Sequence, residues 1–264
     1  MITSGAAVLC RAVQLLLLTS WLTVGLHAAD NPFVGDWKLN PAKSKLTDEM
    51  KVTSVEKNKY AFDFGGGKPE TIVVDGTDQP GGFGTTLSVS REGPNSWKVI
   101  RKKDGHVLVR ANWTLSQDQN TLKDEFTLIR ANGSPSTVNY IYTRRHTGSG
   151  FAGDWVSTSE TVTSVFVLKI RPYEADGLSI IDPSGLVTKN VNFDGKDYPT
   201  KSPIAGSTSS ARRLNELTLE ITDNVNGKAS RTDEIQLSSD RKTLTRTFRV
   251  EGNSEPTIMV FERQ

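Results

Sequence analysis

A five-residue stretch stands at the head of each half of this chain. Phe33-Val34-Gly35-Asp36-Trp37 opens one half and Phe151-Ala152-Gly153-Asp154-Trp155 opens the other. Each is followed by short runs rich in Val, Thr, Ile, Leu and aromatics, alternating with period two and punctuated by Gly, Pro, Asn and Asp. That pattern reads as antiparallel strands joined by tight turns. The spacing predicts strands near 35–39, 51–57, 59–64, 69–75, 84–90, 96–101, 106–115, 120–130 and 136–143. The second half echoes them near 153–157, 160–171, 177–182, 186–193, 207–213, 216–222, 228–237, 242–250 and 256–263. Only residues 41–50 suggest a short helical turn. The fold class is all-β. In each half the Gly of the opening leaves room for close backbone passage, and the Trp plugs one end of a sheet.

The duplication holds in register. Gly105, Leu115, Leu122 and Phe126 match Gly227, Leu237, Leu244 and Phe248 at one constant offset. Asp75-Gly76-x-Asp78-x-Pro80 returns as Asp194-Gly195-x-Asp197-x-Pro199, and the closing Tyr140–Arg144 returns as Met259–Arg263. Each copy has the size of a domain rather than of a solenoid repeat. Two tandem up-and-down barrels are therefore expected, over 30–145 and 151–264, with a small polar linker at 146–150. In a barrel closed within its own copy, Arg144 meets Trp37 and Arg263 meets Trp155, each guanidinium over an indole face.

Residues 1–29 carry a single charge, Arg11, ahead of the apolar run Val13–Leu26, and end in Ala28-Ala29. This reads as a cleaved signal peptide, too short for a membrane span, and directs the chain to a secreted or periplasmic location. Nothing later in the sequence is apolar for long enough to cross a bilayer. Cys10, the only cysteine, would leave with that segment, so no disulfide, thiolate ligand or Cys nucleophile is expected. With 32 basic and 30 acidic residues the charge is balanced, and nucleic acid is not an expected partner.

The Gly-x-Trp opening and the closing Val260-Phe261-Glu262-Arg263-Gln264 resemble the calycin superfamily of lipocalins and fatty-acid-binding proteins. The opening Gly35-x-Trp37-x-Leu39-Asn40-Pro41-x-Lys43-Ser44-Lys45 is similar to that of exported bacterial lipocalin-like domain proteins. So are the loop at 194–199 and the strand Asp240-x-Lys242-Thr243-Leu244-Thr245. The resemblance implies a pair of lipocalin-like barrels able to hold a ligand. It does not imply which one. The ligand-contacting Arg that fatty-acid-binding proteins place in their final strand has no counterpart beside Tyr140 and Tyr142 or beside Met259 and Phe261.

No catalytic constellation stands out. Only His106 and His146 follow the leader, in a turn and the linker, which is too little for a zinc site or a His-based triad. The repeated Asp-Gly-x-Asp-x-Pro loop lacks the ligand spacing of a calcium loop and reads as a turn. No metal and no cofactor are expected. Trp97 and Trp113 have no aromatic match in the second copy and read as core.

Strand alternation is more informative. Val107, Val109, Ala111, Trp113 and Leu115 share a face whose counterparts are Ala229, Arg231, Asp233, Ile235 and Leu237. Leu122, Asp124, Phe126 and Leu128 answer to Leu244, Arg246, Phe248 and Val250. If those faces point inward, the second barrel carries Arg231, Asp233 and Arg246 inside and the first carries Asp124. Inward charges must pair, meet water or hold a ligand. Two arrangements stay open: a grip on the carboxylate or phosphate of a bound molecule, or a closed Arg231–Asp233–Arg246 network without one.

The expected function is a non-enzymatic exported binding protein for a small amphipathic or hydrophobic ligand. The alternatives are an envelope interaction module with barrels filled by side chains and, more distantly, an acid–base enzyme such as an isomerase using Asp124 and Asp233.

Overall fold

The computed structural model describes residues 31–65, 69–146, 148–249 and 253–264. The signal-peptide reading of residues 1–29 and the inward reading of Val250 lie outside them. From Asn31 to Gln264 the chain forms one compact unit.

Twenty strands run through the described residues, with no α-helix among them. In the first half they are β1 (Gly35–Leu39), β2 (Glu49–Glu56), β3 (Lys59–Asp63), β4 (Glu70–Val73), β5 (Gln79–Pro80), β6 (Thr86–Gly93), β7 (Ser96–Lys103), β8 (His106–Leu115), β9 (Thr121–Ile129) and β10 (Pro135–Arg144). In the second they are β11 (Gly153–Val162), β12 (Val167–Tyr173), β13 (Gly177–Ile181), β14 (Thr188–Val191), β15 (Tyr198–Lys201), β16 (Ser207–Asn215), β17 (Thr218–Val225), β18 (Lys228–Leu237), β19 (Thr243–Phe248) and β20 (Thr257–Arg263). The helical turn expected at 41–50 is a single 3-10 turn, Pro41–Lys43, and strand structure resumes at Glu49.

Matched turn chemistry sets the hairpins. β7 and β8 meet at Asp104-Gly105, and β17 and β18 at Asn226-Gly227, with all four residues at positive φ. Two-residue turns of that kind carry the right-handed twist of the strands they join. In the repeated middle loops, Asp75 Oδ1 accepts the Thr77 backbone N–H and Asp194 Oδ1 accepts that of Lys196. Those carboxylates shape turns, as Asp two residues ahead of a backbone donor commonly does.

The strands form two ten-stranded antiparallel sheets, but not one per copy. The closed barrel runs β1-β12-β13-β14-β15-β16-β17-β18-β19-β20 and returns to β1. The other sheet runs β4-β3-β2-β11-β10-β9-β8-β7-β6-β5 and is nearly closed. Its seam is held by Gln79, whose side-chain amide accepts the Val73 N–H at 2.8 Å and donates to the Val73 carbonyl at 2.7 Å. We call the sheet of β2–β11 the first barrel and the closed one the second.

Each copy has thus given its opening strand to the other, which corrects the expected closure. Trp37 pairs in register with Arg263, and Trp155 with Arg144. Arg263 lies over the Trp37 ring at 4.2 Å and Arg144 over Trp155 at 4.2 Å, opposite to the sequence expectation. The stretch 146–150 falls within the β10–β11 hairpin loop, not between barrels. The barrels are joined instead by the stretches before β2 and between β11 and β12. A short loop makes the β10–β11 pairing the entropically cheap one. β1 then fills the place this leaves in the second barrel.

The plug itself is as the motif suggested. Each indole N–H donates four residues back, Trp37 to Phe33 O at 2.9 Å and Trp155 to Phe151 O at 3.0 Å. A Cβ on Gly35 would sit 2.8 Å from Arg263 Nη1, and one on Gly153 would sit 2.4 Å from Arg144 Nη1. The glycines are there to let the guanidinium reach the indole. Arg144 also donates to the carbonyls of Gln119, Gly150 and Ala152, and Arg263 to those of Pro32, Val34 and Arg241.

The first barrel's core is aromatic. Trp97 and Trp113 are buried, and Trp97 stacks on Phe151 with ring centroids 3.9 Å apart. The second barrel packs aliphatics such as Leu168, Ile170, Leu219, Ile221 and Ile235.

Candidate functional site: the charged interior of the second barrel

Period-two alternation along β18 and β19 carries Asp233 and Arg246 inward, as expected, with side chains 1% and 11% exposed. Arg231 also reaches the interior but keeps about a third of its side chain open. β14 and β17 add two groups that the sequence reading missed, Lys189 and Asp223.

The network is dense. Arg246 Nε and Nη2 both donate to Asp233 Oδ2, at 3.0 and 2.5 Å. Lys189 Nζ lies 2.7 Å from Asp223 Oδ2 and 3.5 Å from Asp233 Oδ2. Arg231 Nη2 donates to Asp223 Oδ2 at 2.8 Å. Ser209 donates to Asp223 Oδ1 at 2.7 Å, and Thr200 sits 2.8 Å from the Ser209 hydroxyl. Arg231 Nε and Asp233 Oδ1 are 3.0 Å apart but misaligned, so neither atom has a hydrogen-bond partner. Phe248 lies under both guanidiniums, at 4.8 and 5.0 Å.

Electrostatics follow from that geometry. Burial alone would push the Asp233 carboxyl up, but Arg246, Arg231 and Lys189 outweigh it and hold the group at about 2. For Lys189, burial and the two guanidiniums prevail over both carboxylates, and its pKa is lowered. Three cations therefore contact two carboxylates. A third, Asp182, faces Arg231 across the same space but is itself bonded to Ser184 and to the Val187 N–H.

The cations border a cavity of about 270 Å³ whose other walls include Phe166, Leu168, Ile180, Ile221, Ile235 and Met259. Leu128 of the first barrel also lines it. That cavity shares Leu128, Asp182, Ser184 and Val187 with a wider cleft of about 610 Å³. The cleft runs between the barrels and is lined by Phe64, Phe83, Leu108, Leu186, Pro203 and Ile204.

The first barrel places Asp124 inside as well, 4% exposed, next to a separate cavity of about 220 Å³. It does not join Arg231, Asp233 and Arg246. Asp48 and Arg101 line the same cavity, and Arg101 is forked onto Glu70 at 2.9 and 3.1 Å. A sequence signal for the missed residues existed. At the offsets that align the two middle loops and the two β8/β18 runs, Glu70 falls on Lys189 and Arg101 on Asp223.

A pair of strand-exchanged antiparallel barrels with charged interiors is what the fold and site define. Compared with family models, curated proteins and solved structures, the chain matches none. Among the described residues, no group of three or more His, Cys, Asp and Glu side chains is placed to hold a metal ion. No helix among them is long and apolar enough to cross a membrane.

Proposed function

We propose that this is an exported, non-enzymatic binding protein of lipocalin-like type, whose second barrel holds a small amphipathic molecule by a carboxylate or phosphate. The observation that carries the reading is three cations, with only two carboxylates bonded to them, on the wall of a cavity whose remaining lining is mainly apolar, Asp182 and Ser184 excepted. Arg231, Arg246 and Lys189 would meet the anionic head, with Asp233 orienting the guanidiniums. The apolar body would run along Leu168, Ile221 and Met259 towards the cleft. The leucine-rich leader supports a secreted or periplasmic address. In this barrel an acid–base role is disfavoured, because the Asp233 carboxylate, held at about 2 by three cations, is a poor proton acceptor.

One observation favours the alternative of an envelope interaction module with filled barrels: Asp233 Oδ2 is already saturated by Arg246 and Lys189. Native mass spectrometry of freshly purified protein and titration calorimetry with octanoate and octyl phosphate separate the two. Binding of either probe, weakened at least tenfold by Arg246→Leu and largely kept by Arg246→Lys, supports the carrier. No co-purifying molecule together with no heat from either probe would establish the filled barrel.

A further inference from the structure

The first barrel presents the opposite chemistry. Its cavity is walled by Phe64, Trp113, Phe126 and Tyr142, and two carboxylates, Asp48 and Asp124, open into it. The Asp48 carboxylate is bonded by the Tyr142 hydroxyl. Among the described residues Asp124 Oδ1 has no well-aligned hydrogen-bond donor: the indole N–H of Trp113, opposite it on the neighbouring strand, pulls on the carboxylate but is itself left without an aligned acceptor. Among the described residues the one cation lining this space, Arg101, is committed to Glu70 and to Thr85 at 2.8 Å. A buried carboxylate without a well-aligned donor is rare and asks for an explanation.

We propose that the first barrel is a second ligand site, taking a small protonated amine whose ammonium sits at Asp124 and Asp48 and whose carbon body lies against Phe64, Trp113 and Phe126. An ammonium supplies the well-aligned donors that the Asp124 carboxylate lacks, and aromatic faces attract it through their quadrupole. The inversion between copies points the same way. Glu70 and Arg101 stand where the second barrel has Lys189 and Asp223, and Asp124 stands where it has Arg246. The site is separate from that of the second barrel and does not rest on the anion-binding reading.

Burial and charge around Asp124 set the protonation state from which binding starts. Burial raises its carboxyl to about 8 against the pull of the Trp113 indole, with smaller upward pushes from the charges of Asp48 and Glu125. Burial also raises Asp48, to about 6, against the Tyr142 hydrogen bond. Tyr140 and Tyr142 are pushed up and stay neutral, Glu160 stands near Tyr140, and Arg101 is offset by Glu70. At neutral pH Asp124 therefore keeps its proton. Binding an ammonium forms the ion pair and releases that proton to solvent.

Titration calorimetry of the full chain with phenethylamine, and with 2-phenylethanol as its uncharged match, tests this. Phenethylamine is expected to bind, with affinity rising up to tenfold per pH unit from pH 6 to 8 and levelling above. Runs at pH 7 in buffers of different protonation heat should show about one proton released per amine. Asp124→Asn, which keeps the shape and removes the charge, should weaken binding at least tenfold. The proposal is overturned if the amine gives no binding between pH 6 and 9, if 2-phenylethanol binds as tightly, if no proton is released, or if folded Asp124→Asn binds the amine unchanged. Proton release is read on the unmodified protein and needs no variant to fold. Octanoate results bear only on the other barrel, so the two readings fail separately.

Discussion

Where the first barrel pairs Glu70 with Arg101, the second pairs Lys189 with Asp223; where the first buries Asp124, the second buries Arg246. Both copies bring the same positions inward, because period-two geometry leaves no choice once the sheet closes. Complementarity is what an interior ion pair requires, and either sign order supplies it. The third position breaks the symmetry. In the second barrel Arg246 is answered by Asp233, which stands where the first has the small Ala111. In the first barrel no cation among the described residues answers Asp124, and its neighbours are large aromatics. Matching interior positions thus make a cation-rich pocket in one barrel and an acidic aromatic one in the other.

The exchanged opening strands give the comparison its largest test. The complete first barrel is β2 to β11, which is continuous in sequence, whereas the second is sealed by strands from both ends of the described chain. A fragment spanning Leu46–Ser164 is expected to fold alone, with cooperative denaturation followed by the fluorescence of Trp97, Trp113 and Trp155. A fragment spanning 30–145 lacks β11, and with it Phe151 on Trp97 and Trp155 under Arg144. It should remain unfolded or associate through its open edge. If the 30–145 fragment folded as a stable monomer and the longer one did not, the exchange would be wrong.

Acidity should separate the barrels next. Asp124 and Asp48 have folded pKa values raised to about 8 and about 6, above an unfolded value near 4. Between those limits the folded state holds more protons than the unfolded one, so the first barrel loses stability as pH rises from about 4 to 8. At about 1.4 kcal/mol per pKa unit, rises of about four at Asp124 and about two at Asp48 make this loss several kcal/mol, and Asp124→Asn should remove about two thirds of it. Asp233 is depressed to about 2, so its contribution is fully present above about pH 4 and disappears as pH falls through 2. Denaturant melts at pH 5 and pH 8, followed by the first-barrel tryptophans, should show the first effect. Equal midpoints in the unmodified chain would remove the raised carboxyls from the account.

Much of this was legible in the sequence, for identifiable reasons. Alternation put Asp233, Arg246 and Asp124 inside because their strands also carry Leu237, Leu244 and Leu122, which must face a core. The exchange was not legible, because both opening strands carry the same Gly-Asp-Trp and both closing strands end in Arg. Either pairing satisfies those residues, and connection length, not motif, decides between them. Lys189 and Asp223 were hidden because each is polar in a strand with mixed faces, and only a copy-to-copy comparison of charge reveals them. Asp48 was missed because the stretch before β2 read as a turn. The strands expected at 153–157 and 160–171 form instead one strand to Val162 and another from Val167, parted where the chain leaves the first barrel for the second.

The smallest expected difference lies at the seam. In the second barrel β14 and β15 pair through the backbone, Thr188 with Lys201 and Lys189 with Thr200. In the first, β4 and β5 share no such ladder, and the Gln79 amide stands in for a strand by bonding both the N–H and the carbonyl of Val73. Gln79 occupies the place of Tyr198, whose hydroxyl donates to Asp194 outside the ladder. Removing a side chain should therefore open one seam and spare the other. Gln79→Ala is expected to cost about 1–2 kcal/mol, since two neutral hydrogen bonds are exchanged for water. It should also speed amide hydrogen exchange at Val73 by an order of magnitude or so. Tyr198→Ala should leave exchange across β14 and β15 nearly unchanged, because the backbone carries that closure. Equal acceleration at both seams would mean that the first barrel is closed by something other than Gln79.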